Sequence, residues 1–208
     1  MSRDHILHRV RTALGRSAGQ AVAEAPPPRI LIPRVEMDAR VASMLARVEA
    51  LAGEALETAN PCAFVAAAIA GKTAVASNAP YLAECGITSL PGVRSGITDR
   101  DQLRDACAAA DIGITSADYA LADTGTLVML ASPHETRLIS LLPPQHIAVV
   151  PRGRILTGLD ELFSILPNPA EQTSSMVLIT GPSRTADIEQ ILVRGVHGPG
   201  HITVVVAP

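Results

Sequence analysis

Five short apolar runs constrain this chain most: Thr73–Ala76, Leu127–Ala131, Ile147–Val150, Met176–Thr180 and Ile202–Val206. Most of them do not alternate with polar residues. A strand with one wet face alternates, whereas a strand covered on both faces does not. Marked helix starts stand between the runs. Asn60-Pro61 is an N-cap followed by proline at the first helical position. Thr98–Asp101 and Thr157–Asp160 resemble capping boxes, and Ser132-Pro-His-Glu135 adds proline at its first position. This alternation predicts an α/β fold, a mainly parallel sheet with helices on both sides. Gly113–Ala131 interrupts it. There Ile114–Ala117 and Tyr119–Ala122 read as strands, and Asp123-Thr124-Gly125 supplies a turn before the next one.

The chain ahead of this body reads differently. Ile6, Leu7, Val10 and Leu14 recur at helical spacing behind Ser2 as N-cap, with Arg3, Arg9, Arg11 and Arg16 on the other face. Residues 17–37, with Pro26-Pro27-Pro28, read as an extended linker. Val41, Met44, Leu45, Val48 and Leu51 then form a helix face closed by Gly53. The expected division is an amphipathic arm and Pro-rich linker over 1–37 and one α/β domain over 38–208.

Composition narrows the function classes. With 48% apolar and 18% charged residues, the 208-residue chain can bury a sizeable core. It has four aromatic residues (Phe64, Phe163, Tyr81 and Tyr119) and a net charge of −3. Nucleic-acid binders normally show a basic footprint or stacking platforms, so none is expected as partner. The three cysteines, Cys62, Cys85 and Cys107, are scattered and form no CxxC. No four-cysteine zinc or iron–sulfur site is expected within the chain. His197 and His201 are split by Gly198-Pro199-Gly200, which argues against a metal pair. The longest apolar run, Ala63–Ala70, is too short to span a bilayer, and the charged N-terminus lacks a signal-peptide core. The expectation is a cytoplasmic protein with no transmembrane segment. GxSxG, GxGxxG and Walker A motifs are absent.

In open α/β sheets, ligands bind at loops beyond the carboxyl ends of the strands. One such loop is Thr180-Gly181-Pro182-Ser183-Arg184-Thr185-Ala186-Asp187. Read as a strand end leading into a helix capped by Ser183 or Thr185, it offers free N–H groups and Arg184 to a carboxylate or phosphate. The plainer reading is a well-capped helix with Asp187 in its first turn. A second segment is Asp123-Thr124-Gly125-Thr126, with two hydroxyls, a glycine and a carboxylate able to serve as general base. Its plainer reading is a tight turn. Arg137, one turn into the helix expected from Ser132, is a further anion candidate, and Arg152 and Arg154 share the ligand edge.

Four ordered motifs carry a resemblance. Gly113–Thr126, Leu142–Val150, Thr180–Glu189 and Gly195–Pro199 resemble the lactate-utilisation protein C family of LUD-domain proteins, as does the opening Ile6–Leu14. The resemblance implies a Rossmann-like three-layer fold similar to the sugar-phosphate isomerase and CoA-transferase superfamily. It also implies a role in oxidising L-lactate to pyruvate beside iron–sulfur partner proteins, with no cofactor in this chain. It carries Asp123, Thr124, Gly125 and Thr126 as one site group. A second comprises Gly181, Pro182, Ser183, Arg184, Thr185, Asp187 and Glu189, and a third His197 and Gly198. Asp123 and His197 are then the catalytic candidates. The acid before Thr-Gly-Thr is commonly Glu in that family, and Asp123 is one methylene shorter. Two other readings stay open: a free-standing enzyme on a sugar phosphate or CoA ester, and a non-catalytic scaffold docking through its arm. Whether the chain is itself an enzyme is undecided by sequence.

Overall fold

The computed structural model describes residues 2–21, 30–186 and 192–208. Among these residues are six α-helices: α1 (Arg3–Ala13), α2 (Met37–Ala50), α3 (Pro61–Ala68), α4 (Pro80–Glu84), α5 (Arg100–Ala109) and α6 (Leu159–Ile165). Their starts follow local chemistry. Ser2 Oγ accepts the His5 N–H at 3.3 Å, and Asn60 Oδ1 accepts that of Ala63 at 2.9 Å. Asp99, one residue after the expected Thr98, caps α5 through Gln102 N–H at 2.9 Å. At α6 the Thr157 N–H and hydroxyl both donate to Glu161. Asn60→Ala is expected to cost about 1 kcal/mol, lowering Tm by roughly 2–4 °C in a thermal melt.

Six strands form one sheet: β1 (Glu54–Glu57), β2 (Ala74–Ala76), β3 (Val93–Arg94), β4 (Ile112–Ser116), β7 (Gln145–Pro151) and β12 (His201–Ala207). Their order is β1-β12-β7-β4-β2-β3, parallel throughout. A second sheet orders β8 (Ile155–Leu156), β5 (Tyr119–Leu121), β6 (Thr126–Leu130) and β9 (Met176–Thr180). There β6 pairs antiparallel with both β5 and β9. β10 (Arg184–Ala186) and β11 (Leu192–Arg194) form an antiparallel pair.

The mixed α/β architecture with a mainly parallel sheet is as expected, and so is the hairpin β5–β6. One face of the large sheet is covered by α3 and α4 through Val65, Leu82, Ala74, Ile114 and Val149. Its other face is covered by α2, by α5 and by the small sheet. Met44, Val48, Leu127 and Met129 pack there against Ala148 and Val204, and Leu103 and Cys107 pack against Val75. The outer layer is therefore partly β, because the runs at 127–131 and 176–180 pair with each other instead of joining the parallel sheet.

Two expected helices are corrected. After Gly181 (φ +76°) the chain enters β10, where Arg184 faces Arg194 and Thr185 faces Val193. Those backbone groups are spent in a ladder, so no helix start capped by Ser183 or Thr185 offers free N–H groups here. Behind Ser132 the chain forms turns, not a helix carrying Arg137. Ser132 Oγ does accept the N–H groups of His134 and Glu135, but the Glu135 carboxyl turns away to other partners. Among the described residues no helix is long and apolar enough to cross a membrane. No residue of α1 is buried, and Ile6 and Val10 are half exposed.

Candidate functional site

The strand order locates the crevice. The chain runs from β2 outward to β3, returns past β2 to β4, then continues through β7 to β12. Between β2 and β4 the direction of winding reverses. The connection leaving β2 enters α4 on one face, while the connection leaving β4 packs Ala117 and Ala120 on the other. Such a reversal opens a cleft beyond the carboxyl ends of the two strands. A cavity of about 510 Å³ lies there, lined among others by Tyr81, Ser116, Asp118, Tyr119, Glu135 and Arg154.

Glu135 is the central group. It is 6% exposed. Ser77, just past β2, donates its hydroxyl to Glu135 Oε2 at 2.6 Å, and the Ser116 N–H at the end of β4 donates to the same oxygen at 3.2 Å. Among the described residues Oε1 is buried without a partner. The turn is clamped by the Asn78 N–H on the His134 carbonyl at 2.9 Å. Burial pushes the Glu135 carboxyl up to about 8; the Ser77 and Ser116 bonds oppose this and nearby Asp118 adds to it. It is thus largely protonated at neutral pH. Burial also raises Asp118, whose Oδ2 accepts the Leu130 N–H at 2.7 Å. Arg154 lies over the Tyr119 ring, 5.3 Å from its centroid, and donates to the Tyr119 oxygen at 3.3 Å. A buried carboxyl titrating near neutral pH, in a cleft that a cation also lines, is equipped for proton transfer on a small anion.

Of the residues singled out by sequence, Arg154 lines this crevice and the others lie elsewhere. Asp123 sits in the β5–β6 turn against Gly158, where a Cβ would come 2.5 Å from Asp123 Oδ2. Thr124, Thr126 and Thr180 join hydroxyls at 2.8 and 2.9 Å. Gly125 seats helix α2: a Cβ there would lie 2.8 Å from Arg47 Cβ. Gly181 does the same against Leu51, and Arg184 donates to the Leu51 carbonyl at the end of that helix. His197 and Gly198 join Gly181 and Ser183 around a separate cavity of about 230 Å³ near the amino ends of β7 and β12. His146 also lines it. That imidazole is 1% exposed, bonds Thr115 Oγ1 through Nε2 at 2.8 Å, and is lowered to about 4 by burial. Arg137 lines a third hollow with Arg100 and Arg104. The cavities described here bring His197, Gly198, Gly181 and Ser183 together and leave out Asp123. Asp187 and Glu189 lie outside the described residues.

Sequence reasoning missed Glu135, Ser77 and Asp118 as site residues. Ser77-Asn78 directly follows the run Thr73–Ala76, so the carboxyl-end rule pointed to it.

A family model described as LUD domain matches residues 35–207. "Lactate utilization protein C" of Halalkalibacterium halodurans is 42% identical over 106 residues, covering 49% of this chain and 46% of that protein. "Lactate utilization protein C 1" of Bacillus mycoides is 34% identical over 139 residues, covering 62% and 59%. The chain spans about half the length of the curated relatives it matches. The crystal structure of a DUF162 family protein from Deinococcus radiodurans superposes with a TM-score of 0.64 at 18% identity, over 84% of this chain and 100% of that one. That likeness concerns the fold.

Proposed function

Because the chain belongs to the LUD domain family, we propose that it is a subunit of an L-lactate utilisation system, oxidising L-lactate to pyruvate with iron–sulfur partner proteins, and that lactate occupies the crevice between β2 and β4. The names of the relatives support the process. The observation that carries the site is the buried Glu135 carboxyl where the winding reverses.

Oxidation of lactate breaks the C2–H and O–H bonds, forms the C2=O bond, and releases two electrons and two protons. The electrons go to an acceptor outside this chain. Three dispersed cysteines cannot supply the four thiolates of a cluster, so the clusters are assigned to the partners. The share of this chain is one of the two protons, that of the hydroxyl; the C2 hydrogen leaves as the other, with the two electrons, on the side of the acceptor. Ionised Glu135 takes the hydroxyl proton as the carbonyl forms and returns it to crevice water. The rate through this step rises with pH as the ionised fraction grows, is half-maximal at about 8 and levels off above it.

The test is co-expression with the neighbouring reading frames, followed by L-lactate-dependent dye reduction with and without this chain. Turnover that requires the chain, with none from the chain alone, is the expected result. Undiminished turnover without it would sink the reading.

A further inference from the structure

The geometry points to Arg154 as the anion anchor of the crevice, with Tyr119 as the platform that positions it, so that the site selects short monocarboxylates over their neutral isosteres. The lactate reading supplies the identity of the crevice, and the charge preference is argued from the residues themselves.

Two arginines follow β7 and are used differently. Arg152 is held by Asp38 and Glu57. Arg154 has no carboxylate within salt-bridge distance among the described residues, and its guanidinium is kept over the Tyr119 ring and bonded to its oxygen. Among the described residues it is the one Lys or Arg lining the crevice. A guanidinium fixed by stacking keeps its planar fork free for a carboxylate, which accepts two parallel N–H bonds.

The other lining residues set the charge and size. Glu84, Asp118 and Glu135 also line the cleft, so a single cation faces three acids. With Glu135 protonated, Glu84 and Asp118 still outnumber Arg154, so a carboxylate gains only through direct contact with the guanidinium, and a dianion such as phosphate meets the greater repulsion. Ala117, Leu130 and Leu166 give part of the wall an apolar surface. Lactate has six non-hydrogen atoms, and a water takes about 30 Å³, so lactate fills on the order of a third of the cleft. Room remains for a longer apolar tail, as in 2-hydroxybutanoate. Asp118 lies near enough to Arg154 for the two charges to interact, and it competes with an incoming carboxylate.

The experiment is equilibrium binding of L-lactate, 2-hydroxybutanoate, lactamide and inorganic phosphate to the full chain, by calorimetry or ligand-observed NMR. The variants are Arg154→Ala, Arg154→Lys, Tyr119→Leu and Asp118→Asn, each checked for folding by circular dichroism. Wild type is expected to bind lactate at least about tenfold tighter than neutral lactamide. Arg154→Ala brings that ratio close to one with lactamide unchanged, and Arg154→Lys restores part of it. Tyr119→Leu lowers the ratio without changing lactamide affinity, an effect that loss of packing alone does not produce. Asp118→Asn tightens lactate. A ratio untouched by Arg154→Ala overturns the anchor and leaves the lactate reading standing. Arg154-dependent binding of phosphate in place of lactate overturns the carboxylate assignment and the lactate reading, not the anchor. No lactate binding to the wild-type chain overturns both.

Discussion

Glu135→Gln is expected to lower lactate-dependent turnover of the reconstituted system by a factor of about 10²–10⁴, the usual share of a positioned acid–base group, while making the chain more stable. The two effects have one cause. The site removes a carboxyl from water and leaves Oε1 without a partner. The amide keeps an acceptor for the Ser77 hydroxyl and the Ser116 N–H but cannot take up a proton. The folded-state value is raised from 4.5 to about 8. The stability Glu135 contributes is therefore fully present below about pH 4.5 and is lost as pH rises through about 8. At 1.36 kcal/mol per unit, the wild-type penalty at pH 7 is about 3 kcal/mol. The variant should melt roughly 10 °C higher there. Its advantage should shrink towards pH 4.5 and level off above pH 8 in melts run across that range. A variant less stable than wild type at pH 7 would mean that Glu135 is a structural acceptor and not a strained acid. Stability gained where function is lost is the usual mark of a site residue.

Gly113→Ala is expected to destabilise the fold by about 3–5 kcal/mol, a Tm loss on the order of 10 °C. Gly113 lies in β4, between Val75 of β2 and His146 of β7. Its backbone is not in the left-handed region, so conformational freedom is not the reason for glycine. The reason is the segment that crosses over it. A Cβ at 113 would overlap the Ile139 carbonyl oxygen and lie 3.1 Å from Pro143 Cγ. The neighbour is backbone in the middle of a packed layer and cannot turn aside as a flexible side chain would. The check is thermal or urea unfolding of the variant. A loss below about 1 kcal/mol would show that residues 139–143 yield easily.

The large sheet was legible because its strands are apolar on both faces. Thr73–Ala76, Ile147–Val150 and Ile202–Val206 mark β2, β7 and β12. The runs at 127–131 and 176–180 carry the same pattern for a different reason. The small sheet is covered by the large sheet on one side, through Leu127 and Met129, and by α6 on the other, through Val128 and Leu162. Apolarity reports burial, not the direction of pairing, so these runs read as parallel strands. The same limit hid the site. Glu135 reads locally as the last residue of a capping box, and its partners Ser77 and Ser116 are 58 and 19 residues away. Only the strand order brings them together. Gly125 and Gly181 stood out as ligand turns, yet each receives the last turns of α2. A glycine that admits a helix and one that admits a ligand look alike in sequence.

The central claim is that Glu135 is a buried acid at a ligand cleft. Its most direct test is a carbon-13 NMR titration of the Glu135 carboxyl, assigned with Glu135→Gln and followed from about pH 3 to about pH 10, with and without L-lactate. The account predicts a midpoint of about 8 that moves when lactate is added. A midpoint near the ordinary carboxylate value of 4.5, unmoved by lactate, would contradict it.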